Sequence, residues 1–399
     1  MSFTVLCIFF GKPLFHANST YFGVSGDGVQ AYYVSAYHAQ YDKSFVHHNA
    51  MNYPYGENVF FTGCQPMVTG IAKILGLSNY VIGITNLIML LSMVLCALFL
   101  YLIFKELKIN FIYAAVCATA ISFLSPQIVR MFAHYTLTYQ FAIPGFIYFL
   151  LKFYQAPSLK RSILISVFSF FLASTHLYFF GFFAVFSGLY WLTLFVLRVP
   201  NFKNVLFCLK HFSIQLIIPF VVLQLMVFFT NTVTDRTAVP FGFLLYKSNW
   251  WGVFFPFGRY YAYAPLNWGL EPAEVNPEGF SYVGIIGVFV TVIMILKLVR
   301  DILNFQIRKF LSFSDNLLLN VFVWSSIIAL LYSFGYPFIF GHEEWVKKLG
   351  FFRQMRGIGR FAPPVAQEGG TFGYSVAVSR DGNTMAVGEP VISGFTALE

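Results

Sequence analysis

The sequence predicts an all-α polytopic membrane protein, with about nine transmembrane helices, large outward-facing loops and a short β-hairpin at the C-terminus. Three observations carry this. Hydrophobic residues make up 58% of the 399 and charged residues only 10%, against roughly 45–50% and 25% in soluble domains. Several apolar runs reach the ~20 residues that cross a hydrocarbon core. Short loops rich in Lys and Arg alternate with long loops that are poor in them.

The first element is "MSFTVLCIFFGKPLF". It is apolar but short, and it lacks the basic start and small-residue cleavage site of a signal peptide. It reads as a first transmembrane helix that is clipped or begins late. Eight further spans follow, at about 79–104, 110–128, 136–154, 162–174, 177–197, 207–230, 280–300 and 316–340. The run from Arg161 to Leu197 is too long for one helix. It breaks at "STHLY", where His176 interrupts the apolar pattern.

Loop charge orients these spans. Loops 105–110, 152–161, 198–210 and 297–315 hold Lys105, Lys108, Lys152, Lys160, Arg161, Arg198, Lys203, Lys210, Lys297, Arg300, Arg308 and Lys309, nearly half of the 25 Lys and Arg. Short basic loops stay in the cytoplasm, and the alternation holds through all eight spans. The N-terminus is then cytoplasmic. Loops 12–78 and 231–279, the turns at 125–135 and 174–178, and the segment after 341 face outward. The same loops account for most of the formal charge of +9, so nucleic-acid binding has no support.

Other chemistries are excluded by what the chain lacks. Cys7, Cys96, Cys117 and Cys208 lie in or beside apolar runs, where Cys acts as a small hydrophobe, and only Cys64 falls in a polar loop. There is no CxxC and no metal-ligand spacing. No P-loop, nucleotide fingerprint or serine-triad motif points to ATP hydrolysis or a soluble nucleotide sugar.

The outer loops have their own texture. Loop 12–78 carries Tyr- and His-rich helical stretches and the turn-rich "MNYPYGENVFF", with Pro54 and Gly56. Loop 231–279 carries "NWWGVFFPFGRYYAYAPLNW", a density of aromatics that suits the headgroup layer. From about Val365 the composition switches. "AQEGGTFGYSVAVSRDGNTMAVGEPVISG" alternates around an Asp381–Gly382 turn, which predicts a β-hairpin. This stretch resembles one FG-GAP repeat, the blade unit of integrin-type propellers. One blade cannot close a propeller, and the spaced calcium-ligating aspartates are missing. Residues 1–364 therefore form the expected transmembrane domain. Residues 365–399 are expected to be a truncated or fused segment, with fusion favoured by the abrupt change beside "GRFAPP".

Ionisable residues gather at the outer ends of the spans, where burial in a bilayer is costly and placement is seldom idle. Asp27 follows the first span in "SGDGVQAYY". Arg130 and His134 lie in "SPQIVRMFAHYTLTYQ", and Arg259 in "FPFGRYY". Glu278 precedes the eighth span in "GLEPAEVNPEGFSYVG". Arg353, Arg356 and Arg360 follow the last in "FRQMRGIGRF". Each has a plain structural role available. Asp27 can cap a helix beginning near Val29, and His134 and His176 can close helix ends. Glu271 and Glu274 can be solvated, and Glu278 can cap the following span. The three late arginines, spaced to share a helix face, can hold headgroup phosphates.

As a set, one carboxylate among arginines at an outer surface suits chemistry on a lipid-linked phosphate. Asp27 is the candidate base for an acceptor hydroxyl. Arg130, Arg259, Arg353, Arg356 and Arg360 are candidates for the phosphate, and Glu278 and His134 for acceptor or supporting contacts. Direct attack on the anomeric carbon would invert it.

Over roughly residues 15–362 the arrangement resembles the GT-C superfamily of polytopic membrane glycosyltransferases, including its protein mannosyltransferase-like and arabinosyltransferase-like branches. Members have a first span and then a large outer loop with an essential acid near its start, which Asp27 matches. The motifs "GDG", "EGFSYVG" and "RGIGRF" are also similar to those of uncharacterised bacterial membrane proteins. The resemblance implies transfer of a sugar from a polyprenyl-phosphate donor to an envelope glycan, lipid or protein, at the outer face of a bacterial inner membrane. It implies a lipid-linked sugar and membrane lipid as partners. The superfamily often pairs two acids, whereas Asp27 has a glycine on either side and the next acid is Asp42. No metal ligand is assigned on this reading, and a divalent cation is the one cofactor left open. Two alternatives stand beside it: a transporter or flippase, for which the expected midplane charges and internal repeats are not seen, and a non-catalytic membrane assembly protein with the same fold. The oligomeric state is unassigned.

Overall fold

The computed structural model describes residues 1–23, 26–132, 134–198, 202–233, 248, 250–254, 281–304, 317–333, 375–378 and 385–388. Two compact units divide the chain. One comprises residues 1–237 and 244–341, the other 238–243 and 342–399.

Among the described residues the long apolar runs of the first unit are helical. Helix α1 runs Ser2–Phe15 and bends at Phe10. Pro13 explains the bend, since its ring cannot sit against the carbonyl one turn earlier. Next come α2 (Gly26–Gln40), a two-residue ladder of β1 (His47–His48) on β2 (Glu57–Asn58), and α3 (Pro66–Ile74). The long helices follow: α4 (Val81–Glu106), α5 (Phe111–Phe123), α6 (Ala142–Gln155), α7 (Leu159–Thr175), α8 (Leu177–Arg198), α9 (Phe202–Phe212) and α10 (Ile218–Thr230). A short α11 (Trp250–Phe254), α12 (Gly284–Leu303) and α13 (Leu317–Ser333) complete it. In the second unit β3 (Ser375–Val378) pairs antiparallel with β4 (Met385–Gly388). The hairpin expected there is present as two strands; its Asp381–Gly382 turn lies outside the described residues.

Among the described residues each of the expected spans carries a helix, and the break at His176 is real. Its backbone is extended (φ −154°, ψ 125°), which ends α7 at Thr175 and restarts α8 at Leu177. The expectation of nine spans is not met. Among the described residues three segments are long and apolar enough to cross a bilayer: Ser78–Glu106, Phe111–Phe132 and Val205–Thr230. For the shorter helices the reason is length. At 1.5 Å per residue, the 14 residues of α6 and the 17 of α7 cover only about 21 and 25 Å, short of the ~30 Å core. The 14 residues of α1 are also shorter than a span. Apolarity located the helices but did not set which of them are long enough to cross.

The third spanning segment contains a π-turn, Ser213–Ile217, between α9 and α10. Pro219 sits in the first turn of α10 and cannot take the usual hydrogen bond, so the helix loosens ahead of it. The looser turn aims Gln215 inward. There its amide accepts from Trp191 Nε1 at 3.0 Å and donates to Ser162 Oγ at 3.0 Å.

The core is aromatic. Phe146 stacks on Phe183 at 4.4 Å, and Tyr135, Tyr139, Phe153, Phe179 and Tyr190 are fully buried. Helix α4 packs against α1, α5 and α6. The two ends of this bundle differ. At one end Lys152 bonds Glu106 at 2.8 Å and Arg161 donates to the carbonyls of Lys152 and Ala156, which joins the ends of α4 and α6 to the start of α7. Two of the basic loops predicted to share a side therefore meet.

At the opposite end Asn86 is the fastener. Its amide donates to the carbonyls of Ala17 and Thr20 at 2.8 and 2.7 Å and accepts from Tyr32 Oη at 2.5 Å. It is fully buried, so its removal strands three partners. We expect Asn86→Ala to lower stability by about 2–4 kcal/mol, read as thermal unfolding in detergent. A melting temperature equal to wild type would show that these contacts do not hold the α1–α2 connection.

Candidate functional site

Asp27 stands in the first turn of α2. The capping role expected a helix starting near Val29. The helix begins at Gly26 instead, so the carboxylate lies inside the turn, where its charge complements the helix dipole. Its side chain is 67% exposed, and Oδ2 lies 3.8 Å from His134 Nδ1. Two residues singled out separately in the sequence are thus brought together.

Close backbone packing makes this possible. A Cβ on Gly28 would fall 2.7 Å from the Phe132 carbonyl oxygen and 2.7 Å from Gly23 Cα. A Cβ on Gly23 would meet the same oxygen at 2.7 Å and Gly28 Cα at 2.6 Å. No side chain fits at either position. Gly23 and Gly28 flank the start of α2 and let the segment carrying His134 lie directly on it.

That segment is fixed from its other side by Tyr135. The buried phenol donates to the Ala31 carbonyl at 2.6 Å, lies 2.8 Å from Ser35 Oγ, and stacks its ring on Tyr32 at 4.9 Å. His134 is therefore held to α2 by its neighbours on both sides. Arg130 precedes it in the 3₁₀ turn Pro126–Phe132, where the Arg130 carbonyl accepts from the His134 amide at 2.8 Å. The arginine is half-buried.

His176 joins the same end. Burial, the larger cause, and the nearby His134 imidazole push His176 down to about 4. Its Nδ1 accepts from the Tyr178 amide at 3.2 Å. An exposed carboxylate and two imidazoles thus share one end of the bundle, with His176 neutral at pH 7. Arg259, Glu278, Arg353, Arg356 and Arg360 lie outside the described residues. Among the described residues no three His, Cys, Asp or Glu side chains converge as a metal site requires.

A second polar cluster escaped sequence reasoning. It lies at the far end of α2. His38, in the last turn, hydrogen bonds Asp42 Oδ2 through Nδ1 at 2.9 Å, and Lys73 Nζ from α3 reaches His38 Nε2 at 3.1 Å. His48 Nδ1 is 4.0 Å from the same carboxylate oxygen. His38, Asp42 and His48 are all buried. The available signal was an acid between two histidines in one loop, with the lysine well downstream; nothing in that spacing selects the partners.

The chain belongs to the family described as Domain of unknown function (DUF6311), which matches residues 1–374. No curated protein and no solved structure matches it.

The glycine packing has a direct consequence. Gly28→Ala must push α2 away from Phe132, because its nearest obstacles are backbone atoms. We expect a loss of about 1–3 kcal/mol, read as thermal unfolding in detergent. Val29→Ala, at the exposed next position of the same helix, should melt like wild type. A Gly28→Ala protein that also melts like wild type would show that the turn stands clear of the His134 segment.

Proposed function

We propose that the protein is a membrane glycosyltransferase. It takes a sugar from a polyprenyl-phosphate donor and passes it to an envelope glycan, lipid or protein at the outer face of a bacterial inner membrane, with its N-terminus in the cytoplasm. The observation that carries this reading is the solvent-exposed Asp27 carboxylate, 3.8 Å from His134, at the bundle end opposite the basic loops.

In this reading the acceptor hydroxyl gives its proton to Asp27 as its oxygen attacks the anomeric carbon. The bond from that carbon to the phosphate oxygen breaks, and its electron pair leaves with the lipid phosphate. The anomeric centre inverts, as in other single displacements at that carbon. His134 orients the carboxylate or meets the acceptor. Arg130 supports the phosphate, and Arg259, Arg353, Arg356 and Arg360 are assigned that task on sequence alone. Arginine suits it because its planar fork matches two phosphate oxygens.

An exposed aspartate tolerates amidation, so Asp27→Asn should express and melt like wild type. Transfer from labelled polyprenyl-phosphate sugars should fall by about 10²–10⁴-fold, the usual contribution of a positioned base. Undiminished turnover in the variant would remove Asp27 from the reaction. A wild-type protein that transfers no sugar from any such donor would remove the reaction itself.

A further inference from the structure

The cluster at the far end of α2 has a hydrogen-bond order that fits one protonation pattern when Asp42 and Lys73 are both charged. An ionised Asp42 only accepts and a Lys73 ammonium only donates. His38 Nδ1 must then carry the proton that reaches Asp42 Oδ2 at 2.9 Å, and Nε2 must be the bare nitrogen that faces Lys73 Nζ at 3.1 Å. His48 is fixed as well. Its Nε2 donates to the Val34 carbonyl at 3.0 Å, and its Nδ1 accepts from the Ala50 amide at 3.2 Å. Both imidazoles are neutral in this arrangement, with near-parallel rings 5.8 Å apart.

These contacts fasten one stretch of chain. Asp42 Oδ1 accepts from the Asn49 amide at 3.2 Å, and Lys73 donates to the Ser44 carbonyl at 2.6 Å and sits 5.3 Å above the Phe45 ring. The loop after Asp42 is thereby tied to α2 through His38 and His48, and to α3 through Lys73. Protonating His38 would place a new N–H on Nε2, aimed at an ammonium 3.1 Å away. Two like charges would face each other with no acceptor between them, and the imidazole, unlike the half-buried Lys73, has no water to turn to.

The geometry points to an acid-released clasp: a proton on His38 expels Lys73 and frees residues 42–65 from α2 and α3. The inference is independent of the transfer reaction proposed above.

The groups facing His38 act in opposite senses. Asp42 favours its protonation; Lys73, from α3, and His48, from β1, oppose it. Burial is the largest influence, and it wins, holding the imidazole down to about 4 against an ordinary 6.5. Burial likewise pushes the nearby Cys64 thiol up to about 11, so it adds no charge at neutral pH. The open state takes up a proton below pH 6.5 that the closed state refuses until about pH 4. Closure is therefore at full strength above pH 6.5 and weakens as pH falls from 6.5 to about 4.

Hydrogen exchange on the full chain in detergent tests this. After correction for intrinsic rates, amides in residues 42–65 should open about 30-fold more at pH 5 than at pH 7.5. His38→Gln keeps a donor for Asp42 and an acceptor for Lys73 but cannot titrate, so its opening should rise much less than wild type across that range, by the part that His48, which burial also holds low, contributes. An unchanged wild-type ratio, or a His38→Gln protein with the same rise, would overturn the clasp. If the variant does not fold, ring-nitrogen NMR of wild-type His38 decides. A proton on Nδ1 and a midpoint near pH 4 support the clasp, and a midpoint near 6.5 overturns it.

Discussion

The arrangement depends on how the chain satisfies its backbone where it stops being helical. Between α5 and α6 the segment 124–141 makes only short 3₁₀ turns. In an apolar protein its carbonyls need partners inside the fold. Side chains from the segment and its neighbours provide them. Ser92 of α4 donates to the Thr138 carbonyl at 3.0 Å, and Gln127 donates to that of Leu137 at 2.5 Å. Tyr135 in turn reaches out of the segment to the Ala31 carbonyl of α2. An irregular stretch held this firmly can carry Arg130 and His134 at defined places, which a free loop could not do.

Helix α2 is the other half of that device. Its N-terminal turn lies against Phe132 because two glycines leave room, and its C-terminal turn is tied down through His38 and His48. Between them Tyr32 and Ser35 meet Asn86 and Tyr135. Polar contacts set the place of this helix together with the buried Tyr32, Val34 and Ala39. That placement also explains why its two ends differ in character. Asp27 is left open to solvent, while Asp42 is enclosed and hydrogen bonded to His38 and the Asn49 amide.

Much of this was legible in the residues. Runs such as Val81–Glu106 announce a helix by apolarity alone, and His176 marks a helix break because a polar ring interrupts an apolar pattern. The pairing of β3 with β4 follows from alternation about a turn. The number of crossings was not legible. Composition registers how greasy a run is, whereas crossing depends on where the helix starts and stops, and α6 and α7 stop short. Asp27 and His134 could be chosen separately from their positions at span ends, but their contact could not be read. It requires Gly23 and Gly28, whose contribution is to carry no side chain.

Local composition and periodicity, which neighbouring residues set, already establish a helical, membrane-adapted chain, the positions of most of its helices and the gathering of its scarce polar residues at their ends. Which of those polar groups meet is a matter of packing. Lys73 of α3 finds His38 of α2, and His134 finds Asp27 from beyond two long helices. Such pairings depend on the angles at which helices cross and on a few backbone approaches of less than a side chain's width, and no linear spacing encodes them.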